Sequence, residues 1–205
     1  MPRLLLATTN RGKVEELKDL LWGCGWDLVS LQDIRVLEDI VVEEGDDYRQ
    51  NAILKAKVAA LATGLVALGE DSGLEVEALG GAPGPTSARF LGAQATYEER
   101  FTYILGQLQG LPTPKRAALF RCVMALVDPV SGRQWVVEDT CPGYIAFSPR
   151  GEGGFGYDPI FYIPTRTATM AQLPPQEKNR ISHRAKAAWR LRQVLKELRY
   201  ELENR

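Results

Sequence analysis

The sequence predicts an α/β protein built on a mixed sheet, because two kinds of pattern follow one another along it. Toward the N-terminus, short apolar runs alternate with stretches carrying apolar residues at helical spacing, as parallel βα units do. Further on, two long β-rich runs, Ala117 to Asp128 and Gln134 to Phe147, flank Pro129-Val130-Ser131-Gly132 and predict a long antiparallel hairpin. A closing helix from Ser182 to Glu203 adds an apolar stripe through Ala185, Ala188, Leu191, Leu195, Leu198 and Leu202.

The first strand is Leu4-Leu5-Leu6-Ala7. It runs into Thr8-Thr9-Asn10-Arg11-Gly12-Lys13, after which Val14, Leu17 and Leu21 predict a helix from Gly12 to Cys24. Trp26 to Ser30 reads as a short strand. Beyond the polar stretch Glu43-Glu44-Gly45-Asp46-Asp47, a helix from Tyr48 to Thr63 carries Ala52, Ala56, Ala59 and Ala60 on a narrow face suited to close packing. Gly64 fits the left-handed position just past its end. Leu65 to Leu68 and Leu74 to Glu77 read as two short strands, Gly80 to Pro85 as loop, and Thr96 to Gly110 as a helix with Phe101, Ile104, Leu105 and Leu108 inward. The hairpin follows, then a glycine-rich loop from Gly151 to Pro159 and the last helix, whose arginines lie off the apolar stripe and read as a solvated face.

With 45% hydrophobic and 25% charged residues over 205 positions, the chain suits one large domain or two small lobes of a soluble protein. A net charge of −1 gives no case for a nucleic-acid partner. No apolar run approaches membrane-spanning length, so no membrane partner is expected, and the short apolar run after Arg3 predicts no signal peptide. Cys24, Cys122 and Cys141 are odd in number and widely spaced, and read as reduced thiols of a cytoplasmic protein. With His183 as the single histidine, a histidine-rich zinc site is excluded.

Four polar clusters carry candidate chemistry. Thr8 through Lys13 gather hydroxyls, an amide, a glycine and a positive charge where a strand ends and a helix begins, which suits an anion such as phosphate. An ordinary turn with a capping Thr or Asn has the same pattern, and the Walker motif is absent. Glu70-Asp71-Ser72-Gly73 places two carboxylates at a strand end. Beside phosphates such groups hold Mg²⁺, and one could accept a proton from an attacking water; an Asx turn is the alternative. In Gly153 to Pro159, Phe155 and Tyr157 could stack on a planar base and Asp158 could accept from a purine edge, or the aromatics could plug the core. In Glu177 to Arg184, Ser182 reads as an N-cap, and Lys178, His183 and Arg184 can donate to a carbonyl or a phosphate.

Together the stretches LLLATTNRGKVEEL, NAILKA, EDSGLEV, GGAPGPTSARF, GGFGYDPIF and EKNRISHR closely resemble the inosine/xanthosine triphosphate pyrophosphatase family over nearly the whole chain. That resemblance implies a single elongated domain over residues 1–205, with two lobes around the sheet and a cleft between them, acting as a cytoplasmic homodimer on a purine nucleoside triphosphate with Mg²⁺. It implies that Thr8, Thr9, Asn10, Arg11, Gly12 and Lys13 bind the triphosphate, that Asp71 binds Mg²⁺ and accepts the proton, and that Ser72 touches substrate. Phe155, Gly156, Tyr157 and Asp158 would line the base and sugar site, and Lys178, His183 and Arg184 would close on the purine. Lys55 is either a further phosphate ligand or a surface helix lysine. The family's further metal-binding glutamate falls at Glu43 or Glu44, with Glu43 preferred. Glu70 stands where the family often has a second Asp, and Ala185 where it often has Gly. The rivals are a related hydrolase of pyrimidine or standard nucleotides, and a binding module without turnover.

Overall fold

The computed structural model describes residues 1–34 and 45–204, so Glu43 and Glu44 lie outside the described residues. Its strands are β1 (Arg3–Leu6), β2 (Asp27–Ser30), β3 (Val66–Val76), β4 (Ala117–Val127), β5 (Gln134–Ile145), β6 (Phe161–Ile163) and β7 (Ala168–Thr169). They form a seven-stranded sheet in the order β2-β1-β3-β4-β5-β6-β7. β1 runs parallel to β2 and β3, whereas β6 runs antiparallel to β5 and β7. β4 and β5 are neighbours joined by a tight turn closed by Asp128 N–H donating to Arg133 O at 3.1 Å, a link too short for a parallel crossover. The mixed sheet and its hairpin match the sequence reading.

The helices are α1 (Arg11–Leu20), α2 (Tyr48–Thr63), α3 (Tyr97–Gln107), α4 (Pro175–Ile181) and α5 (His183–Glu203). Local signals set most boundaries. Asn10 caps α1, Asp47 caps α2, and Gly64 ends α2 in the left-handed region at φ 69°. Thr96 and Glu99 form a reciprocal capping box on α3. Among these helices none is long and apolar enough to cross a membrane. Two compact units emerge, one of Met1–Asp71, Cys122–Asp139 and Arg184–Arg205, the other of Ser72–Arg121 and Thr140–His183.

In the first unit, strand alternation sorts the core into two layers. Leu4, Leu6, Val66, Leu68, Cys122, Met124 and Leu126 face α1 and α5, which contribute Leu17, Ala187, Ala188, Leu191, Leu195 and Leu198. Leu5, Ala7, Ala67, Val123, Ala125 and Val127 face the alanine stripe of α2. That stripe sits so close that a Cβ at Gly69 would fall 2.1 Å from Ala52 O and 2.6 Å from Ala56 N. Both atoms are backbone and cannot rotate away. Gly69→Ala is therefore expected to cost about 3 kcal/mol, the upper range of overpacking, read as a lowered urea midpoint; an unchanged midpoint would mean that α2 shifts freely. In the second unit, Leu74, Val76, Phe101, Ile104, Leu108, Phe120, Ile160 and Phe161 form a separate core.

Three expectations need correction. The two short strands around Glu70 are one, β3, so Glu70 and Asp71 lie within a strand and not at its end or in an Asx turn. Part of EKNRISHR is an unforeseen helix, α4, which ends at Ser182; that residue, with extended backbone angles, also directly precedes α5 at His183, the place expected of it from the sequence. Gly80 to Pro85 contains the start of a short 3₁₀ turn at Gly84–Thr86.

Candidate active site

Consecutive strand residues point to opposite faces, and this alternation governs the first unit's polar cluster. Glu70 lies on the α1/α5 side. Its carboxylate accepts from Arg184 Nε at 3.1 Å and Nη2 at 2.9 Å, and Lys13 Nζ stands 3.7 Å from Oε1. Arg184 Nη1 also donates to Glu16 Oε2 at 2.6 Å. Burial works against the Arg184 charge, but Glu70 and then Glu16 more than offset it and hold its pKa above the ordinary arginine value. Cys122 Sγ lies 3.6 Å from Glu70 Oε1 in the same layer, and burial pushes its thiol pKa well up.

Asp71 lies on the α2 side. Asn51 Nδ2 donates to Oδ2 at 3.0 Å and Lys55 Nζ to Oδ1 at 3.1 Å, while the same ammonium donates to Glu70 O at 3.1 Å. Asp71 is 3% exposed, and burial raises its carboxyl above the usual carboxylate range although Lys55 and Lys13 pull it back. The two carboxylates thus do not form one metal-binding pair: Glu70 is held by Arg184, and Asp71 alone remains a candidate. Asp71 fits Mg²⁺, because a carboxylate offers about four lone-pair sites, and Asn51 and Lys55 each take one of them, on different oxygens. Mg²⁺ takes only one or two carboxylates, with water and phosphate oxygens completing its shell. No cluster of three or more His, Cys, Asp or Glu suited to a metal occurs among the described residues.

The amino-terminal turn precedes this cluster. Ala7 N–H donates to Leu68 O at 2.8 Å, locking the end of β1 beside β3. Thr8 Oγ1 accepts from Asn10 N–H at 3.2 Å, and Asn10 Oδ1 from Lys13 N–H at 3.1 Å, so the capping role of Asn10 is real. The first turn of α1 carries no acidic residue, leaving its positive end uncompensated by local carboxylates. Thr9 and Arg11 are exposed, Gly12 is half-buried, and Lys13 is buried. Thr8, Thr9 and Arg11 also border a cavity of about 300 Å³, together with Ser30, Gln32 and Asp33. Hydrogen bonds from Ser30 backbone and hydroxyl hold the Asp33 carboxyl down to about 2.

The second unit holds the aromatic loop and the Lys178 and His183 positions. Asp158, 3% exposed, accepts from Phe155 N–H at 3.0 Å and forms an ion pair with Lys178. Lys178 Nζ also sits 4.8 Å over the Phe155 ring. Gly154 makes room for this pair: at φ 71°, a Cβ there would fall 2.1 Å from Asp158 Oδ2 and 3.1 Å from Lys178 Nζ. His183 is buried and stacked on Phe120 with centroids 4.7 Å apart. Tyr157 is a core residue, with its hydroxyl donating to Ser87 O at 2.9 Å and its ring edge-on to Tyr97 at 5.3 Å. Tyr157 thus follows the core-plugging alternative of the sequence reading; Phe155, half-buried, keeps the stacking option, and Gly156 takes φ 63° between them. Ser72, also half-buried, follows Asp71 in β3.

A family model described as the Ham1 family matches residues 4–194. The chain belongs to the Ham1 family. It is 46% identical over 196 residues to a dITP/XTP pyrophosphatase of Desulforamulus reducens, covering 96% of each chain. A dITP/XTP pyrophosphatase of Thermus thermophilus is 46% identical over 195 residues, with 95% and 92% covered. Among solved structures, a HAM1 protein from Coxiella burnetii matches with TM-score 0.85 and 41% identity over 96% of this chain and 100% of that one.

Within this Ham1 chain, sequence reading grouped Arg184 with Lys178 and His183, whereas the structure gives its guanidinium to Glu70 and Glu16. Lys55 is neither a surface lysine nor aimed at solvent; it is 2% exposed and held by Asp71. Asn51 and Glu16, which the motifs contain but sequence reasoning passed over, supply the other holds on Asp71 and Arg184.

Proposed function

We propose that this chain hydrolyses deaminated purine nucleoside triphosphates (dITP, XTP and ITP) between the α- and β-phosphates, giving the monophosphate and pyrophosphate. The names of its full-length relatives support the reaction class. Asp71 is the observation that carries it: a buried carboxylate with a raised pKa, fixed by Asn51 and Lys55, is suited to accept a proton from water. Asp71 would also hold Mg²⁺, whose charge offsets that developing on the phosphate oxygens. The turn from Thr8 to Gly12, with Lys13, would grip the phosphate tail. Glu70 orients Lys13 through their 3.7 Å pair and is itself fixed by Arg184.

The second unit supports the base class. Asp158 and Lys178 set an acceptor beside a donor in a buried pair. A 6-oxopurine presents the complement, a carbonyl at C6 and an N–H at N1. Adenine reverses both, so it would leave buried groups facing their own kind, a mismatch of several powers of ten. Guanine shares the 6-oxo edge, and its rejection must act at C2. The activity would be exercised in the cytoplasm and by a homodimer; Cys24, Cys122 and Cys141 carry no disulfide, in keeping with a reducing compartment.

Pyrophosphate release measured over ATP, GTP, ITP, XTP and dITP, with Mg²⁺ and after chelation, tests the reading. Turnover of ITP, XTP and dITP that stops on chelation and returns with Mg²⁺ is expected. Strong activity on ATP, or on dTTP and UTP added to the panel, would favour the rival hydrolase, and no turnover of any triphosphate would favour a binding module.

A further inference from the structure

The sequence reads the arginines of α5 as a solvated face, yet in the first unit the turn after α1 and the outer side of α5 enclose a groove of about 540 Å³. Arg190, Arg192, Lys196 and Arg199 line it together with Trp189. Positions 189, 192, 196 and 199 step by three and four, so they share one side of the helix and span about 15 Å along it. The walls are built rather than incidental. Arg192 Nη1 donates to Leu20 O at 3.0 Å and Trp22 O at 2.9 Å, tying α5 to the turn. Arg199 lies across Gly25, where a Cβ would fall 1.9 Å from Nη1, so only glycine lets the guanidinium rest there. Asp139 pairs with Arg190 at 2.7 Å, Glu203 with Arg199 at 3.5 Å, and Glu197 accepts from the groove-lining Gln193 at 2.6 Å, so four cations stand against these three carboxylates.

Trp189 is 76% exposed, an unusual cost for a large indole on a helix otherwise well sorted. An exposed indole beside arginines is a stacking platform for a base, with cations placed for its phosphates. The volume lies in the range of small-ligand sites, which run from about 300 to 1,000 Å³. We propose that this groove is a second nucleotide-binding site, taking a nucleoside polyphosphate with its base on Trp189 and its phosphates along Arg192, Lys196 and Arg199. The overall charge of −1 favours a single nucleotide over a nucleic-acid strand.

Binding of a non-hydrolysable α,β-methylene analogue of ITP to the full chain, by equilibrium dialysis and Trp fluorescence, tests this. Two analogues per chain are expected, falling to one in Arg190→Glu/Lys196→Glu with pyrophosphate release from ITP unchanged. One analogue per chain, retained in that variant, would overturn the groove and leave the active-site reading standing. One analogue per chain that the variant loses would support the groove while removing the active-site reading. Tighter binding of a short single-stranded oligonucleotide than of the analogue, lost in the variant, would replace the nucleotide proposal with a nucleic-acid one.

Discussion

Asp71→Asn lowers kcat for ITP by about 10²- to 10⁴-fold, the range a positioned proton acceptor supplies, while the methylene analogue still binds within a few-fold. The substitution has a second consequence that must be separated from the first. Lys55, 2% exposed, loses its ion pair with the Asp71 carboxylate. Breaking a buried ion pair from one side costs about 3–5 kcal/mol. Asp71→Asn/Lys55→Met removes the buried ammonium as well, so its urea midpoint should recover much of the loss. Turnover should stay lost. If activity returned with stability, Asp71 would be a structural partner of Lys55 and not the proton acceptor.

Lys178→Met has the next largest effect. It removes the donor from the buried pair and leaves Asp158 without its counter-charge. The value of kcat/KM for ITP should fall by about 10²- to 10³-fold, as when a buried charged hydrogen bond is broken. The ratio of ITP to ATP turnover should fall with it, because the donor that matches a 6-carbonyl is gone. Gly154→Ala acts on the same pair by a different route, pressing a methyl on Asp158. An ITP preference that survives Lys178→Met would place base reading outside the second unit's aspartate–lysine pair.

The features most legible in the sequence were those with local physical causes. Gly64 could be placed because a left-handed end residue selects glycine, and the alanines of α2 because a helical period marks one face. Gly69 and Gly73 broke the apolar run and hid the single strand β3. Once β3 is continuous, the two-residue period alone separates Glu70 from Asp71. Adjacency misled at the other end as well. Consecutive helical residues point about 100° apart, so Arg184 follows His183 in sequence yet reaches different partners. The short helix α4 had a signal in Pro175 at its start, which the basic run after it obscured. Asn51 and Lys55 as holders of Asp71 depend on a helix crossing a strand distant in sequence, which no local pattern reports.

The most direct measurement is the product ratio from ITP with Mg²⁺, resolved by anion-exchange chromatography. Hydrolysis by Asp71-activated water between the α- and β-phosphates gives inosine monophosphate and pyrophosphate in equal amounts, with no inosine diphosphate at any time. Inosine diphosphate and inorganic phosphate as the first products would contradict the account.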